Sequence, residues 1–182
     1  MPRLIGLTGY ARSGKSTVAA ILKSHAFHEI SFAEPIRDFT RLLLNFTTDD
    51  LEAKKETPID WLDGVTPRRM MQTLGTEWGR ELIHPELWIR VAMQEAKACM
   101  LEGCSDVVIS DVRFVNEAKA ISEAGGQIWR IYRDTTEPNP GEVLHPSESQ
   151  VGTIPFDGFI SNNGTLDALM RKVRDELAGE EE

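Results

Sequence analysis

Cysteine, tyrosine, positive charge and long apolar runs are all scarce in this chain, and each scarcity closes off a class of protein. Its 182 residues include two cysteines and two tyrosines. Cys99 and Cys104 are too far apart for C-x-x-C and have no matching histidine pair, so buried free thiols are expected rather than a metal site or a disulfide. No apolar run approaches the roughly 20 residues that span a bilayer. Met1-Pro2-Arg3 leads directly into a strand-like segment with no signal peptide, so the expectation is a cytoplasmic protein with no membrane partner. Twenty Lys and Arg against 29 Asp and Glu leave a net charge of −9. That balance argues against a nucleic-acid polymer as partner, which needs an extended basic surface. A small anionic ligand needs only a local cluster of Arg and Lys, and part of the acidic excess lies in the tail Gly179-Glu180-Glu181-Glu182. The length, the 41% hydrophobic fraction and the absence of repeats suit one domain over residues 1–182.

What is present is an eight-residue phosphate-loop pattern, Gly9-Tyr10-Ala11-Arg12-Ser13-Gly14-Lys15-Ser16, with G-x-x-x-x-G-K-[S/T] satisfied at every fixed position. Leu4-Ile5-Gly6-Leu7 reads as a short buried strand before it, and Thr17 to Leu22 as a helix after it. Gly9 and Gly14 allow backbone angles and a close approach that a Cβ would block, so successive N–H groups can form an anion nest. The helix N-terminus adds partial positive charge at the same point. Lys15 is a mobile point charge able to follow the β- and γ-phosphates, Ser16 offers its hydroxyl to the magnesium that bridges them, and Arg12 can add charge within the loop. The pattern predicts nucleoside triphosphate binding.

Further along, His28 to Phe32 alternates like a strand, and Glu34-Pro35 opens a helix whose apolar face is expected at Ile36, Phe39, Leu43 and Phe46. Arg37 lies one turn beyond the strand end, where either a ligand contact or a solvated face fits. Thr47 to Gly64 reads as a polar surface excursion. Thr66 caps and Pro67 begins a helix expected to run through Arg80. At about 100° per residue, Arg69, Gln72, Thr73, Thr76 and Arg80 fall on one stripe, with Met70, Met71, Leu74, Trp78 and Leu82 opposite. The polar stripe has two Arg, an amide and two hydroxyls with no carboxylate, a set suited to a base edge and a phosphate. Gly75 and Gly79 suggest close approach by another backbone or a ligand.

Pro85 to Leu101 is a further expected helix, with Leu87 and Val91 on its packed face and Trp88 in the core. Asp106 to Asp111 ends an apolar run on a carboxylate, which makes Asp111 the candidate for the magnesium-directed acid, and Arg113 follows two residues later. A helix over Asn116 to Ala124 and a strand over Gln127 to Tyr132 come next, with Arg130 and Arg133 at or past the strand end. Residues 134–155, rich in Pro, Glu, Ser and Gly, suit a loop that opens and closes over a ligand. A strand over Phe156 to Ser161, a turn at Asn162-Asn163-Gly164 and a helix capped by Thr165, with Leu166, Leu169, Val173 and Leu177 on its core face, complete the chain. Alternating strands and helices predict a three-layer α/β phosphate-loop fold with a parallel sheet covered on both faces. There is no Asn-Lys-x-Asp or Asp-x-x-Gly motif, so a GTPase is not expected, and a small phosphotransferase remains.

The sequence resembles the bacteriophage deoxynucleoside monophosphate kinases, within the wider nucleoside monophosphate kinase group. The resemblance rests on Gly6 through Thr17, Ser31-Phe32-Ala33-Glu34-Pro35-Ile36-Arg37, Arg69 through Arg80, Ser110 through Ala118, His145-Pro146-Ser147-Glu148 and Ile160 through Gly164. It implies an ATP-dependent kinase that passes the γ-phosphoryl group to a deoxynucleoside monophosphate, giving the diphosphate and ADP, with Mg²⁺. It also implies an acceptor-binding region at about 34–84, a lid at about 134–155 and compatibility with a homodimer. By resemblance, the donor nucleotide falls to Gly9, Ala11, Arg12, Ser13, Gly14, Lys15, Ser16 and Thr17, with Asn162 and Gly164 near its adenine. Lys15, Arg113, Arg130 and Arg133 fall to transfer, the last two on the lid side. Arg37, Arg69 and Arg113 fall to the acceptor phosphate, Gln72 to its base, and Glu34, Thr73, Thr76, Arg80 and Asp111 to its surroundings. Ser16 and Asp111 fall to the metal. Spacing assigns no role to His145, and Glu148 suits a lid anchor or a loop cap. Glu34 also matches the carboxylate that acts on an acceptor hydroxyl in dephospho-coenzyme A kinases, so such a kinase is the first alternative. A nucleotide-binding switch without catalysis is the second.

Overall fold

Short apolar runs that end in glycine loops or charged turns cannot bury both faces alone, and here they assemble into a sheet clad by helices. The computed structural model describes residues 2–101, 103, 106–138 and 148–179. The chain divides into two compact units, Met1–Ser31 with Met93–Glu182, and Phe32–Ala92. Cys104, His145 to Ser147, much of the expected lid and the acidic end of the tail lie outside the described residues.

The first unit holds five strands, β1 (Leu4–Thr8), β2 (His28–Ile30), β3 (Val107–Val112), β4 (Gln127–Tyr132) and β5 (Gly158–Ser161). Every pairing is parallel and the order is β2-β3-β1-β4-β5. β1 is central and buried along its whole length, as expected of a parallel strand covered on both faces. Its side chains alternate: Ile5 and Leu7 join the core of Val18 and Leu22 from α1 (Lys15–Ser24) and Leu169 and Val173 from α7 (Leu166–Ala178). On the opposite face a Cβ at Gly6 would meet Ile121 of α6 (Val115–Glu123) and Ile128 within 3 Å. Glycine there lets the helix seat directly on the sheet. Helices on both faces make the three-layer α/β arrangement that the alternation predicts.

Several local expectations change. β2 stops at Ile30, two residues short of the expected strand. Asp106 precedes β3 and takes the Arg3 Nε–H and backbone N–H, each at 2.7 Å, so it clamps the start of β1. Leu166 is 57% exposed, and the α7 core face begins at Leu169. Cys99 is a buried free thiol, as expected.

In the second unit α2 (Glu34–Leu44) buries Thr40 and Leu44, whereas Phe39 and Leu43 are 47% and 52% exposed. The buried stripe is thus turned one residue from the expected one, and Thr40 tolerates burial because its hydroxyl donates to Ile36 O at 2.8 Å. The stretch read as an excursion contains α3 (Thr48–Lys54), closed by a reciprocal box between Thr47 and Asp50 and pinned by buried Leu51. One short helix carried by its cap leaves too few turns for periodicity to register.

α4 (Pro67–Thr73) has the expected Thr66 cap, which accepts from Arg69 N–H at 3.2 Å. Beyond it the chain widens into a π-helix, Leu74–Ile83. The 100° rotation therefore fails after Thr73: Trp78 and Leu82 are 44% and 76% exposed, while Gly75 and Gly79 are buried. The close approach expected at these glycines comes from a side chain. Trp88, in α5 (Leu87–Leu101), donates its indole N–H to Gly75 O at 2.8 Å, and a Cβ at Gly79 would lie 2.7 Å from the indole ring.

Candidate active site

The phosphate loop joins β1 to α1 where the sheet order reverses, with β3 on one side of β1 and β4 on the other. Ligands of open α/β sheets bind at such a reversal, beyond the strands' carboxyl ends. Gly9 has φ 144°, Arg12 φ 64° and Gly14 φ 105°. A Cβ at Gly9 would strike the Ile131 carbonyl oxygen, and one at Gly14 would strike the Asn162 amide. Gly14 is the N-cap of α1 and supplies no side-chain cap, which leaves the first amides of that helix for an anion. Thr8 Oγ1 and Ser13 Oγ are buried without a hydrogen-bond partner among the described residues.

Lys15 is half-buried and folds back on its own loop, donating to Gly9 O at 2.5 Å and Tyr10 O at 2.9 Å. Burial pushes its ammonium from an ordinary 10.5 down to about 8; nearby Arg113 pushes the same way, and Glu148 and Asp111 oppose it. Asp111, near the end of β3, accepts from the Ser31 hydroxyl at 2.7 Å. The buried Glu117 carboxylate accepts from the Arg113 and Phe114 N–H groups at 2.8 and 3.1 Å, capping α6 and fixing the backbone that carries Arg113. Glu148 Oε1 accepts from the loop amide of Ala11 at 2.9 Å. The structure thus brings Lys15, Asp111, Arg113 and Glu148 around one loop.

Arg130 is 14% exposed, ion-paired to Glu137 at 3.4 Å, with its guanidinium 5.9 Å from the ring centres of both Tyr10 and Phe156. Asn162 donates its amide to Ser13 O at 2.8 Å and so ties the turn after β5 to the loop. Ala11, Arg12, Ser16, Thr17, Arg133 and Gly164 are exposed.

In the second unit Glu34 pairs with Arg37 at 3.3 Å and with Arg41 at 3.2 Å. Arg69 and Thr73 line a cavity of about 910 Å³ whose walls are mainly Phe39, Met70, Leu74, Trp78 and Trp88. Gln72 and Thr76 are exposed on the same helical run outside that lining, and Arg80 is half-buried. Sequence reasoning gave no site role to Ser31, Glu117 or Tyr10 and assigned Phe39, Trp78 and Trp88 to the core. Only Glu117 carried a local signal, a glutamate in the third position of a helix; the others depend on contacts distant in sequence.

A glycine loop between the central strand and its helix, in a parallel sheet ordered β2-β3-β1-β4-β5, defines the phosphate-loop nucleotide-binding fold. Solved structures agree on the fold: a Campylobacter jejuni dephospho-CoA kinase, 13% identical, covers 99% of this chain and 98% of its own at a TM-score of 0.54. A Thermus thermophilus protein, 18% identical, covers 98% and 97% at the same score. The family is more specific. The deoxynucleotide monophosphate kinase family model matches residues 45–173. A protein of Acanthamoeba polyphaga mimivirus to which deoxynucleotide monophosphate kinase activity is ascribed is 35% identical over 93% of each chain. The deoxynucleoside-5'-monophosphate kinase of Escherichia phage T5 is 26% identical over 68% of this chain and 73% of its own. The chain belongs to the deoxynucleotide monophosphate kinase family, and it is a phosphotransferase.

Proposed function

We propose that the protein transfers the γ-phosphoryl group of ATP to the 5′-phosphate of a deoxynucleoside monophosphate, giving the diphosphate and ADP. The observation that carries this reading is the phosphate loop itself: Gly14 leaves the first amides of α1 to an anion, Lys15 lies beside them, and the Arg113 guanidinium is near enough to push the Lys15 ammonium down. Such a cluster is unfavourable in isolation and becomes favourable around a polyphosphate. Phosphoryl transfer asks for alignment and charge stabilisation, with no nucleophilic side chain. In this reading the loop amides and Lys15 hold the β- and γ-phosphates, and Arg113 stabilises charge on the transferring group. Arg130 and Arg133 flank the donor, and Asn162 holds the loop in shape.

The Ser16 hydroxyl and Asp111 carboxylate are hard oxygen donors that fit magnesium, which takes one or two protein oxygens together with phosphates and water. Held there with ATP, magnesium would offset the negative charge of the phosphates.

The second unit supplies the acceptor elements. Its aromatic-walled cavity suits the flat face of a nucleobase, with Arg69 at its lining for a phosphate and Thr73 and Glu77 as the polar groups within reach of a base edge, whereas Gln72 lies outside the lining. A phosphate acceptor needs no general base, which leaves Glu34 to its ion pairs with Arg37 and Arg41. The test is ADP release by the purified protein with ATP, magnesium and each common deoxynucleoside monophosphate in turn. Release that rises with at least one acceptor supports the reading; release unaffected by every acceptor counts against it.

A further inference from the structure

The contact between Glu148 and the phosphate loop is not used in the reaction just described. The loop amides are disposed to receive phosphate oxygen, yet Ala11 N–H donates at 2.9 Å to an oxygen of this carboxylate. The same carboxylate acts on Lys15 as a neighbouring negative charge. Glu148 therefore occupies one of the loop's backbone donors, as an arriving phosphate oxygen would, with the Lys15 ammonium near enough to feel its charge.

The surrounding chain keeps it there without burying it. Its carbonyl accepts from Val151 N–H at 3.2 Å, Val151 is fully buried, and Gln150 Oε1 accepts from Val115 N–H at 3.1 Å. The segment is thus held by one backbone hydrogen bond, one buried side chain and one side-chain hydrogen bond, while the Ala11 contact is solvent-exposed. A carboxylate so held can turn out to water with little desolvation, so the contact is reversible.

We propose that Glu148 is a displaceable stand-in for phosphate: with no nucleotide bound its carboxylate occupies the Ala11 amide, and the triphosphate binds by expelling it. The two anions exclude each other by charge as well as by volume. Their competition lowers the apparent affinity for ATP by the fraction of molecules in which the amide is held, and it guards the loop against weaker anions. The inference rests on the loop being the triphosphate site.

Calorimetric titration tests it with ATP and, separately, with inorganic tripolyphosphate, which has no base or sugar. Glu148→Ala removes the charge and the acceptor; Glu148→Gln keeps the shape and an acceptor oxygen. Tighter binding of both probes by Glu148→Ala, on the order of three- to tenfold, with a smaller gain for Glu148→Gln, is the expected result. Equal or weaker binding by both variants, in proteins whose thermal unfolding shows them folded, overturns it. A carboxylate that merely braces the loop would give weaker binding, so the sign of the change separates the two roles. If the wild-type protein binds ATP and only the gain is missing, the inference fails alone. If the wild type binds neither probe, the triphosphate reading fails with it.

Discussion

Lys15 concentrates most of the chemistry that single residues contribute. Replacing it with Ala removes a charge that matters most as negative charge shifts toward the transferred group, so turnover should fall by about 10²- to 10³-fold with ATP affinity changing less; steady-state kinetics with saturating acceptor checks this. Its lowered ammonium also sets a pH dependence. In the nucleotide-free protein it loses its proton around 8, whereas bound phosphates favour the protonated form. ATP affinity should be flat below that point and weaken by up to about tenfold per pH unit above it, as titration across the range would show. Stability moves the other way. The unfolded chain keeps this proton up to its ordinary 10.5 while the folded chain has released it, so nucleotide-free stability should rise between those values. Lys15→Met should abolish that rise in denaturation experiments. The residues of the loop itself were legible in the sequence because backbone angles and phosphate charge dictate their types. Ser31 and Glu148 were not legible as parts of the site, because their roles follow from contacts with residues 80 and 137 positions away.

Among the elements, the widened helix Leu74–Ile83 shapes the second unit. Buried Gly79 admits the Trp88 indole, which is held by its hydrogen bond to Gly75 O. A methyl group there meets a rigid ring, so Gly79→Ala should destabilise the protein by roughly 1–3 kcal/mol, an overpacking cost measurable as a lower urea midpoint. The same substitution should raise the KM for the acceptor, because Trp88 and Trp78 line the cavity assigned to it. This is where sequence periodicity failed. A step of 100° holds while hydrogen bonds reach back four residues, but His84 N–H reaches Gly79 O, five residues back. Trp78 and Leu82 are consequently exposed where the periodic pattern predicts a buried face. Segments with a side-chain cap or a continuous apolar run, such as α7 and β1, were readable from local pattern alone.

Across the whole molecule, strand and helix alternation was enough to foresee the parallel sheet, since parallel strands need crossover helices and those helices cover both faces. It did not foresee the division that sets Phe32–Ala92 apart as a compact unit. That unit is built from short helices joined by caps and glycines, whose packing depends on particular aromatic contacts rather than on a repeating pattern. Family membership and fold together make this a phosphotransferase; the central claim is which group moves and onto what. The direct measurement is to supply ATP labelled at its γ-phosphate with magnesium and a deoxynucleoside monophosphate, then separate the nucleotides. The account predicts label in the deoxynucleoside diphosphate, appearing one for one with ADP and falling sharply in Lys15→Ala. Label released only as inorganic phosphate, at a rate indifferent to the acceptor, would contradict it.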